Sequence, residues 1–149
     1  MLNRDFKEFA ELLNARGVEY LVVGGYALAA HGHPRYTGDI DFWVGAQPDN
    51  IARLLAVLKD FGFGSLGLGP QDFGADSVIQ LGHPPRRIDL MTGIDGVDFD
   101  ACYARRERAE LSGTPLNIIG LQDFKANKRA TGRLKDLADL QSLEPPAAA

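Results

Sequence analysis

The stretch GDIDFWV, residues 38–44, places two acids one residue apart in a segment that otherwise has the pattern of a buried strand. Side chains alternate between the two faces of a strand, so Asp39 and Asp41 share one face and the apolar residues share the other. Two carboxylates this close repel each other, and a divalent cation commonly keeps such a pair ionised. An acidic face simply exposed to water would also explain an isolated pair.

Hydrophobic periodicity predicts the remaining helices and strands. We expect helices from Asn3 to Gly17, over 25–32, from Pro48 to Gly62, over 121–132 and over 133–143. Further strands are predicted at EYLVV (19–23), SVIQL (77–81), RRIDLMTG (86–93), RAEL (108–111) and LNIIG (116–120). Residues 62–74 are too rich in glycine for a regular element, although part of them could pair as a ragged strand. These elements predict an α/β (α+β) chain built on a short mixed sheet.

Composition limits the number of domains and the class of partner. At 149 residues the chain predicts one domain, 1–149, with a soft boundary near Gly120. Sixteen basic and twenty acidic residues give a net charge of -4, so a polyanion would need a local basic patch. The single Cys102 and the lack of an eighteen-residue apolar run favour a cytoplasmic protein that does not enter a membrane.

A third acid repeats the pattern of the first strand. Asp89 lies between Ile88 and Leu90 in a predicted strand that could neighbour Asp39 and Asp41. Three carboxylates on one face can hold two metal ions for in-line displacement at phosphorus. The alternative is that Asp89 pairs on the surface with a nearby arginine: Arg86, Arg87 or Arg105.

Two regions could bind phosphate. In VVGGYALAAHG a strand runs into Gly24 and Gly25 and then into a helix, which allows close approach of backbone N–H groups to an anion. Gly-Gly alone could be only a tight turn, but its position fourteen residues before Asp39 favours a role beside the acids. Arg35 could make paired hydrogen bonds to triphosphate or could be a solvated loop residue.

The second such region is the dense basic cluster Lys125, Lys128, Arg129, Arg133 and Lys135. Its first three residues share a helical face, which is usually solvated but could attract triphosphate or a nucleic acid. Asp136 and Asp139 lie where they could orient these cations.

Taken together, the Gly-Gly turn, the Asp-x-Asp strand and the later carboxylate resemble the nucleotidyltransferase superfamily. GGYALAAHGHPRYTGDIDFWV and KANKRATGRLKDLADL are most similar to the small bacterial AbiEii-type nucleotidyltransferases. The resemblance implies a mixed sheet with helices mainly on one face. It also implies that Gly24 and Gly25 hold a nucleoside triphosphate, and that Asp39, Asp41 and Asp89 are metal ligands and catalytic residues. Asp89 would act as the base or beside it.

The resemblance implies an Mg²⁺- or Mn²⁺-dependent enzyme, with two ions, that transfers a nucleoside monophosphate from NTP to an acceptor hydroxyl and releases pyrophosphate. The acceptor could be RNA or tRNA, a protein or a small molecule, and a partner protein or a second copy could complete the site. The alternative is a catalytically idle domain that serves as a toxin–antitoxin or regulatory partner. The three acids together favour the enzyme.

Overall fold

The computed structural model describes residues 2–33 and 37–143. Within these ranges the strands are β1 Tyr20–Val23, β2 Asp39–Val44, β3 Val78–Leu81, β4 Arg87–Met91, β5 Glu107–Leu111 and β6 Thr114–Ile118. The helices are α1 Arg4–Ala15, α2 Gly24–Ala30, α3 Pro48–Leu58, α4 Phe99–Ala104, α5 Leu121–Thr131 and α6 Leu134–Leu143. The prediction of a mixed α/β fold is confirmed.

All six of these strands form one sheet in the order β3-β4-β2-β1-β6-β5. The two central neighbours of β2 differ in direction, because β1 pairs with it antiparallel and β4 pairs with it parallel. The predicted hairpin around SGTP is present as β5 and β6. The order places the acid-bearing strands β2 and β4 side by side, as the sequence predicted.

Helix α1 covers the apolar face of β2. Its predicted N-cap is confirmed, since Asn3 Oδ1 accepts a hydrogen bond from the N–H of Phe6 at 2.9 Å. The rings of Phe9 and Phe42 lie 5.6 Å apart between centroids, which places α1 on the Phe42 face. On the opposite face, Trp43 packs edge-to-face against Phe99 of α4 at 5.2 Å. The sheet is therefore covered on both faces here.

The connection after α3 differs from the prediction. We expected the helix to run to Gly62 and the following residues to be irregular or a ragged strand. Instead α3 ends at Leu58, a helical turn over Lys59–Phe63 kinks at Gly62 (φ +103°), and short 3₁₀ turns follow. Because glycine tolerates a positive φ, the chain can kink at Gly62 and continue in helical turns. The ragged strand considered for this region is not formed.

Helix α4 was not predicted, because its six residues are too few to establish a helical period.

In the described part of the chain, no helix is both long enough and apolar enough to cross a membrane.

Candidate active site

The sheet register brings the three predicted acids together. In the parallel pair of β2 and β4, Asp39 is opposite Arg87 and Asp41 is opposite Asp89. Each acid contributes one oxygen to a group whose oxygens all lie within 4.8 Å of one another. The carboxyl group of Asp89 is nearly buried, whereas Asp39 and Asp41 are partly exposed. The predicted cluster of carboxylates is therefore present.

The glycine turn lies directly against this cluster. Strand β1 ends at Val23, the register partner of Asp41, and α2 begins at the next residue. Gly24 has a φ of +68°, and a Cβ atom at this position would collide with Asp41 Oδ2. Both the conformation and the close packing therefore require glycine at this position.

Arg87 contacts the acids directly through its guanidinium group. The sequence did not predict that Arg87 belongs to the site. Its guanidinium donates to Asp39 Oδ2 at 2.7 Å and to the two oxygens of Asp89 at 2.9 and 3.1 Å. The two alternatives for Asp89 are thus both realised, because it joins the other acids and also pairs with an arginine. Arg87 could have been assigned to the site from its position opposite Asp39 in the strand register. That register can be read only when the pairing of β2 with β4 is known.

Burial and mutual repulsion alter the acidity of the cluster. Burial, followed by the charges of Asp39 and Asp89, raises the pKa of Asp41 from 3.8 to about 7. Burial also raises the pKa of Asp89, although the hydrogen bonds from Arg87 oppose that shift. The site therefore favours a proton or a metal ion at Asp41 near neutral pH.

A cavity of about 410 Å³ opens beside the glycine turn and the first two acids. It is lined by Gly24, Gly25, Thr37, Gly38, Asp39, Asp41, Lys128, Arg133 and Lys135. Of the two lysines predicted to bind nucleotide, Lys128 lines this cavity, whereas Lys125 is buried and is not among its lining residues. Arg35 lies outside the described residues.

Lys128 is held in place from α6. Its Nζ atom lies 3.0 Å from Asp136 Oδ1 and 3.2 Å from Asp139 Oδ2. The side chain of Lys128 is only 7% exposed, so this part of the basic cluster is not the solvated face that such runs usually form. Arg133 also donates to Asp136, at 2.7 Å. The predicted orienting role of the two acids is consistent with this geometry.

A second cavity, of about 360 Å³, lies farther along the same sheet face. Trp43 has the same strand parity as Asp41, and it lines this cavity together with Phe99. Asp76, Asp98 and Asp100 are also in the lining, which makes the cavity acidic and aromatic. Along β2, Trp43 is two residues, or about 7 Å, beyond Asp41.

The donor set at the acids suits a hard divalent cation. Carboxylate oxygens are the ligands that Mg²⁺ and Mn²⁺ prefer, and three acids have oxygens within 4.8 Å of one another. Gly24 and Gly25, at the start of α2, line the adjacent cavity, where backbone N–H groups suit a phosphate. The residues present therefore fit a metal–phosphate site.

Solved structures with the same fold include several nucleotidyltransferases. One, from Thermotoga maritima, is described as a putative nucleotidyltransferase, and its TM-score is 0.65, with 14% identity and coverage of 93% of this chain and 89% of that one. The lincomycin-bound lincosamide antibiotic adenylyltransferase LnuA has a TM-score of 0.60, with 12% identity and 96% coverage of both chains. ANT(2″)-Ia in complex with adenylyl-2″-tobramycin has a TM-score of 0.53, 13% identity and coverage of 91% and 83%.

No protein-family model and no curated protein sequence matches this chain. The structural likenesses, all well below 25% identity, show that the chain has the nucleotidyltransferase fold.

Proposed function

We propose that this protein is a metal-dependent nucleotidyltransferase, which transfers a nucleoside monophosphate from NTP to an acceptor hydroxyl and releases pyrophosphate. The observation that carries the proposal is the convergence of Asp39, Asp41 and Asp89 beside the Gly24 turn, in a chain with this fold. Neither the carboxylate cluster nor the glycine turn alone would support it as strongly.

Asp39, Asp41 and Asp89 are the proposed ligands of Mg²⁺ or Mn²⁺, with two ions expected. When bound, such ions stabilise the charge that develops on the transferring phosphoryl group and its leaving group. Asp89, which is buried, is proposed to accept the proton of the acceptor hydroxyl or to lie beside the group that does. The protein itself contributes mainly by positioning the two substrates.

The first cavity is the proposed site of the nucleotide. Its glycine turn offers backbone N–H groups to phosphate oxygens, and Lys128, Arg133 and Lys135 supply positive charge on another side. Lys128 would reach phosphate from a position fixed by Asp136. Arg35 and Lys125 remain nucleotide-binding residues proposed from the sequence. Lys125 is not among the residues that line the cavity.

The second cavity is the proposed site of the acceptor. It lies on the same sheet face as the acids, because Asp41 of β2 lines the first cavity and Trp43, two residues farther along β2, lines the second. Its size favours a small molecule. Among the proteins with this fold, LnuA is solved with lincomycin bound and ANT(2″)-Ia with adenylyl-2″-tobramycin. We therefore favour a small hydroxyl-bearing acceptor over RNA or protein.

The closer similarity to AbiEii-type proteins, a cytoplasmic location and an additional partner chain remain predictions from the sequence. The alternative of an idle binding domain is favoured by one observation, the engagement of Asp39 and Asp89 by Arg87. A toxin–antitoxin or regulatory partner would suit such a domain.

The test is transfer of label from each α-labelled NTP, with Mg²⁺ or Mn²⁺, onto small hydroxyl compounds, total RNA and proteins. Wild type is compared with an Asp39→Asn/Asp41→Asn variant, which preserves side-chain size and removes both charges. Metal-dependent label on one acceptor class, lost in the variant, is expected. No transfer together with no metal-dependent NTP binding would contradict the proposal and leave the idle domain.

A further inference from the structure

Arg87 is fixed among the acids by three hydrogen bonds to two different strands' carboxylates. It reaches Asp89 within its own strand, two residues away on the same face, and Asp39 across the parallel pair. Only 28% of its side chain is exposed. An arginine this well bound is part of the site and not a surface residue that happens to lie nearby.

The contacts of Arg87 involve the same groups that would bind a metal ion. Asp39 Oδ2 and both oxygens of Asp89 accept hydrogen bonds from its guanidinium. A divalent cation bound by Asp39 and Asp89 would lie close to that guanidinium, and two like-signed charges at short range in a partly buried site repel strongly. Arg87, as it is placed here, therefore opposes metal binding by both acids through its positive charge and through the oxygens that it already occupies.

We propose that Arg87 is an internal cation that holds the acids in a resting arrangement, and that divalent metal ions must displace it to bind. The proposal rests on the proposed function, because it concerns the same acids. Arg87 is the first residue of β4 and follows the turn at 82–86, so its partly exposed side chain has solvent on one side into which it can move.

The neighbouring arginine provides a matched control. Arg86 has the same charge and chain length, but its side chain is 71% exposed and its Nη1 atom lies 3.8 Å from Asp5, away from the acid cluster. A substitution at Arg86 changes the net charge of the protein by the same amount without removing a contact to the acids. Any difference between the two positions therefore reports on the local contacts of Arg87.

The experiment is calorimetric titration of Mn²⁺, without nucleotide, into wild type, Arg87→Gln, Arg87→Lys and Arg86→Gln in mildly alkaline buffer. If Arg87 competes with the ion, Arg87→Gln binds Mn²⁺ more tightly by about tenfold or more, since charge-assisted hydrogen bonds no longer oppose binding. Arg87→Lys should lie between that variant and wild type, because it keeps the charge but not the paired hydrogen bonds. Arg86→Gln should match wild type.

Thermal unfolding of the same four proteins separates competition from damage to the fold. Without metal, Arg87→Gln should unfold at a lower temperature because the carboxylates of Asp39 and Asp89 lose the cation that they bind. Mn²⁺ should raise the Tm of this variant more than it raises that of wild type. Equal or weaker Mn²⁺ binding by Arg87→Gln would overturn the proposal and make Arg87 a residue that positions the acids for metal. If neither wild type nor Arg87→Gln binds Mn²⁺ without nucleotide, the competition proposal is overturned, whereas the proposed function is decided separately by the label-transfer and NTP-binding assays.

Discussion

Asp41 is a carboxyl group on which burial and two neighbouring acids act in the same direction. Because its folded-state pKa of about 7 lies above the ordinary value of 3.8, the folded protein binds more protons than the unfolded chain between these pH values. The free energy of unfolding of the metal-free protein should therefore fall as the pH rises from 3.8 to about 7. Urea denaturation across this range measures the slope.

An Asp41→Asn variant tests the origin of that slope. The pH dependence of the free energy of unfolding should be shallower in Asp41→Asn over the same range. Part of the slope should persist, because the pKa of Asp89 is also raised. A slope in Asp41→Asn equal to that of wild type would show that Asp41 does not titrate as the geometry requires.

Gly24 has a positive φ and also packs directly against Asp41, and mutation can separate the effects of these two features. Gly24 and Gly17 have nearly the same conformation, with φ +68° and +66°, but a Cβ atom at Gly17 meets nothing within 4 Å. Gly17→Ala should therefore cost only the left-handed strain, about 1–2 kcal/mol of unfolding free energy. Gly24→Ala should cost more and should weaken Mn²⁺ binding, because its methyl group displaces Asp41. Similar losses in the two variants, with metal binding intact, would count against the close packing.

At the scale of elements, the junction of α5 and α6 depends on buried charges. Although burial opposes ionisation, hydrogen bonds from Arg133 and Lys128 lower the pKa of Asp136 to about 2. The stability from this carboxylate should be present above pH 3.8 and should be lost as the pH falls toward about 2. This loss is opposite in sign to the effect of Asp41 and lies in a different pH range.

An Asp136→Asn substitution should lower the free energy of unfolding by about 2–4 kcal/mol, because it leaves buried Lys128 without one of its two acidic partners. Asp49→Asn is the control, since Asp49 is also an acid in the first turn of a helix but is exposed. Urea denaturation should show a change within about 0.5 kcal/mol for the control. Equal effects at the two positions would assign the loss to the helix dipole and not to the buried pair.

At the scale of the whole molecule, the main parts of the site follow from local sequence. Strand alternation predicts that Asp39 and Asp41 share a face, and the Gly-Gly position predicts the turn beside them. The repeated pattern around Asp89 predicts a neighbouring strand, which the pairing of β2 with β4 confirms. These features depend on residues within one or two elements.

The parts that sequence reasoning missed depend on distant partners. Arg86 and Arg87 are adjacent and chemically identical, and only the strand register distinguishes the one that reaches Asp39. The sequence did predict that Asp136 and Asp139 could orient the cluster that contains Lys128, but the burial of Lys128 between them depends on packing against α6. Tertiary contacts thus decide which charges belong to the site.

The two cavities give the molecule a polarity across its acid cluster. The first is lined by glycines, basic side chains and the acids Asp39 and Asp41, and the second by aromatic rings and other acids. This arrangement predicts an anionic nucleotide on one side and a neutral or cationic acceptor on the other. A reaction at the α-phosphorus would then take place between them.

The most direct measurement of that claim compares α-labelled and γ-labelled NTP in parallel reactions with Mn²⁺ and the acceptor class found to react. We predict that α label moves to the acceptor, that γ label leaves as pyrophosphate, and that both events disappear in Asp39→Asn/Asp41→Asn. Transfer of γ label to the acceptor, or α-label transfer that is undiminished in the variant, would contradict nucleotidyl transfer by this acid cluster.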